Sequence, residues 1–340
     1  MNYAIIPADA GLSDGRWQEY YQLALDLERV YKENCRSASW QDLKQRMLSH
    51  QAEMPDHHSG IILEDDNIIG WIDFTARNVG TPDQVAFPRF NILPASIPDE
   101  LVRLITTWIL DHLRRYDAEI MFHVAWDERS VAIAENWGGR QFSRSEKFVL
   151  HRDRANRDQM EQYLGEASRT NDDLEMKFFV NLPDELFDDY IALLSEAMAD
   201  IPEEEDSGMP KRVDVESVRR HNQWRRANDI DLHQAILFDH DNRMAGLTEV
   251  TVGARAPKLA DQMMTAVARQ YRGRGLAKWL KAAMFLELEK TRPKIEQTIT
   301  WMRAINEPIQ HINAWMGFEL ERLAREFRVP REGLETYLKQ

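Results

Sequence analysis

Two glycines one residue apart, Gly273 and Gly275, stand between a β-type run at 262–268 and a helical pattern of Leu276, Leu280, Ala283, Met284 and Leu288. A strand that ends in a glycine turn and passes at once into a helix aims backbone N–H groups at an anion. Glycine adopts φ > 0 without strain and lets a ligand approach the backbone closely. Arg272 and Arg274 bring charge that suits phosphate. The turn is not a dinucleotide fingerprint, because Lys278 stands where a third glycine is required. It is not a P-loop either, because Gly-Lys-Ser/Thr does not follow four spacer residues.

The spacing Gln270-x-x-Gly273-x-Gly275 resembles the Q/R-x-x-G-x-G/A segment of the GCN5-related N-acetyltransferases, the GNAT superfamily. Downstream, 300–318 resembles the next motif of that family: Asn306 ends a strand, a helix follows, and Gly317-Phe318 closes it. The resemblance covers about residues 170–340 and is nearest to tandem, mycothiol synthase-like members. It implies an α/β fold with mixed sheets, built as two tandem GNAT-like acyl-CoA N-acyltransferase domains. It also implies acetyl-CoA as acyl donor, bound between the fourth and fifth strands of the second domain.

The resemblance distributes the donor over named residues. The backbone of Val267, Ala268 and Arg269 would bond the pantetheine arm, with the Val267 N–H toward the thioester carbonyl, where negative charge grows. Gln270, Tyr271, Arg272, Gly273, Arg274 and Gly275 would form the pyrophosphate cradle, with the helix start at Leu276 and Ala277 pointing its positive end there. Asn306 would support the donor or its loop. Where many members carry a tyrosine that protonates the leaving thiolate, this chain has Asn313, which can donate a hydrogen bond but is no acid near neutral pH.

Transfer to an amine needs a group to take a proton. Counting back by twos from Val267 along a strand gives Thr265, Met263 and Asp261 on one face. Asp261 stands where, by the resemblance, several members carry a basic glutamate, and is the first candidate; Glu249, one strand earlier, is its competitor. The acceptor would be a primary amine of a small molecule. The missing tyrosine keeps a second reading open, an acyl-CoA-binding sensor or interaction module with little turnover.

The elements that must hold these residues occur twice. His58 to Phe74 reads as two strands joined at Asp65-Asp66-Asn67, and Gln234 to Val252 reads likewise. Gly70 and Gly246 are 176 residues apart, and Gly139 and Gly317 are 178 apart, which points to duplication. The expected division is 1–160, a degenerate copy, and 170–340, the donor-binding copy. In the first copy the phosphate turn should recur near 92–97. That stretch has neither glycine nor arginine, and Pro94 within it and Pro98 just after it lack N–H donors. A helix from Pro98 to Tyr116, a short helix from Arg157 to Leu164, a strand at Leu174–Val180 and a helix from Leu182 to Ala199 are also predicted.

Composition narrows the remaining classes. The chain has 340 residues, 43% of them hydrophobic, enough for two cores. Its net charge of −14, from 43 basic and 57 acidic residues, argues against nucleic acid and anionic membranes as partners. No apolar run reaches the length of a membrane span. The start, Met-Asn-Tyr-Ala-Ile-Ile-Pro, reads as a first strand and not as a signal peptide. A single cysteine, Cys35, fits a reducing cytoplasm and a structural role. The histidines, His57-His58 included, lack metal-ligand spacing, so no metal is expected. By the resemblance, Glu203 to Asp206 would sit in the segment where the family often shapes its acceptor pocket, and could attract a cationic amine. Composition does not address oligomeric state.

Overall fold

The computed structural model describes residues 2–31, 37, 39–82, 84–93, 97–200 and 213–340. Cys35, Pro94 and the acidic run Glu203–Asp206 lie outside the described residues.

The first half runs β1 (Tyr3–Pro7), α1 (Asp14–Tyr31), α2 (Trp40–Glu53), β2 (His57–Glu64), β3 (Asn67–Arg77), β4 (Val85–Ile92), α3 (Asp99–Arg115), β5 (Ile120–Ala125), α4 (Glu128–Asn136), β6 (Arg140–His151) and α5 (Arg157–Thr170). The second half repeats that series: β7 (Glu175–Val180), α6 (Phe187–Asp200), α7 (Val215–Ala227), β8 (Ile230–Phe238), β9 (Met244–Gly253), β10 (Leu259–Val267), α8 (Leu276–Thr291), β11 (Gln297–Arg303), α9 (Glu307–Met316), β12 (Glu319–Pro330) and α10 (Arg331–Lys339).

Two compact units result, and they interleave along the chain. Unit 1 holds the described residues up to Ser145 together with Leu323–Gln340. Unit 2 holds those from Glu146 to Arg322. The halves expected at 1–160 and 170–340 are counted along the sequence. The units differ from them because β12 pairs antiparallel with β5, Arg325 opposite Ala125 to Pro330 opposite Ile120.

In unit 1 the strand order is β1-β2-β3-β4-β5-β12. The β2–β3 turn takes positive φ at Asp65 (45°) and Asp66 (72°), the backbone that a two-residue hairpin demands. Helix α3 starts with Asp99 and Glu100 and ends with His112, Arg114 and Arg115, so its charges oppose the macrodipole. Ile105, Ile109 and Leu113, four residues apart, form its fully buried stripe. Each such side chain contributes about 1.5–3 kcal/mol by leaving water.

In unit 2 the order is β6-β11-β10-β9-β8-β7, with β10 parallel to β11 and the hairpin strands antiparallel. Helix α8 is buried on two sides. Leu276, Leu280, Met284 and Leu288 pack on the sheet, and Ala282, Phe285 and Leu286 pack toward α5 and α9. A weakly amphipathic sequence therefore makes a core helix. Helix α5 runs six residues past the predicted Leu164, because Leu164 and Ala167 find a partner in α8. The helix predicted from Leu182 starts only at Phe187. Pro183 sits in extended backbone and a 3₁₀ turn over Asp184–Leu186 precedes the α-helix.

Candidate functional site

The parallel pairing of β10 with β11 runs from Leu259 opposite Gln297 to Gln262 opposite Thr300. Both strands continue beyond it, to Val267 and Arg303, with no further pair among the described residues. The strands thus part toward their carboxyl ends, where open α/β sheets take ligands. A β-bulge marks the parting. Gln262 faces Val250 and Thr265 faces Thr248, so three steps on β10 match two on β9. Thr300 Oγ1 donates to the Gln262 carbonyl at 3.2 Å, and Thr265 and Thr248 hydroxyls meet at 2.7 Å.

The bulge overturns the parity that grouped Asp261 with Val267. One extra residue reverses the face of everything before it. Val267 and Thr265 share a face with Gly246 and Thr248, whereas Asp261 lies opposite Thr251 on the face of Glu249 and Leu247. The two carboxylates therefore belong together, on the side of the sheet that packs under α6.

Glu249 is almost fully buried, and burial raises its carboxyl pKa. Hydrogen bonds from Tyr190 and from Gln234 Nε2 (2.8 Å), and the Arg225 guanidinium, oppose that rise. Gln234 is fixed in turn, since its Oε1 accepts the Leu182 N–H at 3.1 Å. Burial beside Glu249 raises the Tyr190 phenol and lowers the Arg225 guanidinium. Arg225 Nε has no partner among the described residues. Tyr190, Gln234 and Arg225 escape a reading by motif because they come from α6, β8 and α7. A usable signal was present: Asp73 and Glu249 each stand three residues after the repeat glycines Gly70 and Gly246.

The turn after β10 has the expected backbone. Arg269–Tyr271 make a 3₁₀ turn, and Gly273 (φ 79°) and Gly275 (φ 75°) are left-handed. No atom lies within 4 Å of a Cβ built on Gly273, so the approach there is open. A Cβ on Gly275 would run into the Tyr163 hydroxyl, which donates to the Gly275 carbonyl at 3.2 Å. The first N–H groups of α8, on Leu276, Ala277 and Lys278, lack intrahelical partners by geometry.

The arginines of the turn are engaged by carboxylates of the same unit. Arg269 holds Asp200 through two bonds at 2.8 and 2.6 Å, pulling that carboxyl down to about 2. Arg272 pairs with Asp200 at 2.8 Å and donates from Nε to the Val267 carbonyl at 3.0 Å. Arg274 pairs with Asp173 and donates to Asn171 Oδ1 at 3.0 Å. The Arg269 N–H is bonded to Glu196. Gln270 is exposed, and Tyr271 donates its hydroxyl to Asp239. Ala268 N–H is bonded to the Ala245 carbonyl at 3.0 Å. Lys278 lies over the rings of Tyr163 at 4.2 Å and Trp315 at 3.8 Å.

Asn306 is the N-cap of α9 without a side-chain capping bond. Asn313 is fully buried in α9, with Nδ2 3.5 Å from the Met302 sulfur and Oδ1 without a partner among the described residues.

Together, the repeated β-α-α-β-β-β-α-β-α-β series, the parted parallel strands and the glycine turn give this chain the fold of a tandem GNAT protein. It is similar over 97% of its length to 99% of the tandem GNAT protein from the clavulanic acid biosynthesis pathway, with a TM-score of 0.71 and 16% identity. A GCN5-related N-acetyltransferase from Sphaerobacter thermophilus matches with a TM-score of 0.66 and 12% identity, covering 97% of this chain and 96% of its own. A GCN5-related glucosamine N-acetyltransferase region of a fungal β-N-acetylglucosaminidase matches with a TM-score of 0.64 and 10% identity, over 96% of this chain and 38% of that one. At these identities the likeness establishes the fold alone. No family model and no curated protein matches the chain. No helix among the described residues is long and apolar enough to cross a membrane.

Proposed function

We propose that unit 2 transfers an acetyl group from acetyl-CoA to a primary amine of a small molecule by direct attack. The observation that carries this reading is the parting of β10 and β11 beside a left-handed glycine turn at the start of α8. The open approach at Gly273 and the N–H groups of Leu276, Ala277 and Lys278 fit a pyrophosphate. The backbone of β10 past the bulge would receive the pantetheine arm as an added strand. That binding requires the Arg272 Nε contact on the Val267 carbonyl to yield, and phosphate would compete with Asp200 for the arginines.

Glu249 is our choice of general base. The amine must be neutral to attack, and a carboxylate whose pKa burial raises is a stronger base than an ordinary one. Tyr190 and Gln234 hold it in place. Asp261, on the same face and nearer the solvent, would relay or attract the cation. As the C–N bond forms, the thioester C–S bond breaks and the thiolate takes its proton from water, because the Asn313 amide has none to give.

Turnover of acetyl-CoA with a panel of amines, read by thiol release, tests this. Release that needs an amine and fails in Glu249→Gln supports it. Tight CoA binding with no release under any amine would leave the sensor reading in its place.

A further inference from the structure

We infer that the acceptor amine carries an apolar body, aliphatic or aromatic, which rests on Trp301 and Met263; this rests on the acyl-transfer reading above. Large apolar side chains are mostly buried in this chain, and single exposed ones need no explanation. Three of the exposed ones fall on or just after β10 and β11, at or beyond their last pair. Met263 (43% exposed) is in the β10 bulge, Trp301 (38%) follows the last β10–β11 pair, and Ile305 (38%) follows β11. Met263 and Trp301 thus stand on neighbouring strands just where the two part.

The face they occupy is informative. Trp301 is two residues beyond Ile299, which pairs with Asp261, so its ring shares the side of the sheet that carries Asp261 and Glu249. An acyl chain would instead follow the donor between the strands. The Lys147 ammonium lies 6.0 Å from the Trp301 ring and is paired with Glu321 at 2.7 Å, so the ring is held from the β6 side. Apolar surface flanked by two carboxylates matches an ammonium on a hydrophobic skeleton. A sugar amine would leave hydroxyl groups against a tryptophan and a methionine without hydrogen-bond partners. The net charge of −14 draws cations in the same direction.

The full chain with saturating acetyl-CoA is assayed with phenethylamine, hexylamine, putrescine and glucosamine. Phenethylamine and hexylamine are expected to exceed the two polar amines in kcat/KM by about tenfold or more. Trp301→Ala should lower kcat/KM for phenethylamine about tenfold, through KM, and leave KM for acetyl-CoA unchanged; Trp301→Phe should restore most of it. Preference for glucosamine or putrescine, or unchanged amine selectivity in Trp301→Ala, overturns the inference. A shift in preference between acetyl-CoA and octanoyl-CoA would also overturn it, by assigning the patch to the donor. If no amine is turned over, the acyl-transfer reading fails separately. Equilibrium dialysis of phenethylamine with the CoA-loaded chain then decides this inference: saturable binding weakened by Trp301→Ala supports it, and no binding refutes it.

Discussion

Units 1 and 2 are built on one series of elements, and the same sheet positions carry opposite chemistry in them. The strand register aligns Phe90 of unit 1 with Thr265 of unit 2, because Ile72 opposes Phe90 and Thr248 opposes Thr265. It likewise aligns His123 with Thr300, through Ala86 opposite Met121 and Ala260 opposite Thr298. Where unit 2 has two threonines at its parted strands, unit 1 has a stacked aromatic pair. The rings of Phe90 and His123 lie 5.2 Å apart, and Trp137 closes on the His123 ring at 5.6 Å. His123 is 1% exposed, and burial pushes its imidazole down to about 4. The strands part in both units, since β4 and β5 share only Ala86 opposite Met121 among the described residues. In unit 1 the space between them is filled with side chains.

The carboxylates diverge in the same way. Asp73 and Glu249 occupy matching places on β3 and β9. Across from Asp73 stands Arg89, which bonds it at 2.9 and 3.2 Å. Across from Glu249 lies the bulge, Met263 and Met264, and no cross-strand cation. Burial raises both carboxyls, but Asp73 is bonded directly by Arg89 of the paired strand, whereas Glu249 is bonded by a phenol and an amide, with the Arg225 guanidinium of α7 beside it. In unit 1 an unbulged β4 and Arg89 therefore occur together, where unit 2 has a bulge and no cross-strand cation.

The largest effect expected from this contrast is in Glu249→Gln, which should lower kcat/KM by roughly 10²–10⁴-fold. Asp73→Asn should leave kcat/KM within about twofold. Equal losses would break the contrast, and a larger loss in Asp261→Asn would move the base. Because burial raises the Glu249 carboxyl, its charge costs stability as pH climbs through that raised value, so the melting temperature of Glu249→Gln should depend less on pH than that of wild type.

Next in size is donor binding. Calorimetry should count one CoA per chain, and two equivalent sites would end the distinction between units. Gly275→Val should weaken CoA about 10–100-fold, from strain at φ 75° and collision with Tyr163. Unchanged affinity in the folded variant would dismiss the cradle. Thr265→Phe transplants the unit 1 plug and should weaken CoA about tenfold or more by occupying the opening. Tolerance of that ring would show that the plug is not what silences unit 1.

Acid should act more gently and on one unit first. Burial holds His50, His57, His58 and His123 of unit 1 at about 4, against His233 alone at that value in unit 2. A depressed histidine contributes stability that is complete above its unfolded value near 6.5 and is lost as pH falls toward 4. Hydrogen exchange between pH 7 and pH 5 should therefore show unit 1 losing protection before unit 2. The reverse order would contradict the assignment. The smallest expected change is the stability cost of Asp73→Asn, about 1–2 kcal/mol, from one charged bond lost beside a half-exposed Arg89.

The glycine turn, the helix behind it, the Asn306 and Gly317-Phe318 segment and the paired hairpins were legible in the sequence. Each is set by local rules: φ > 0 at glycine, turn residues between alternating strands, and acidic starts to helices. The 176-residue spacing exposed the repeat. Four matters needed the folded chain. A bulge is a mismatch between two strands, so no count along β10 alone could tell that Asp261 faces away from Val267. Burial and partners of Glu249 come from α6, α7 and β8, which only packing assembles. The arginines read as phosphate ligands are tied to Asp200 and Asp173, since charges find their partners through space. The last strand joins the first unit because β12 meets β5, a pairing between residues about 200 apart that hydrophobic alternation permits but does not specify.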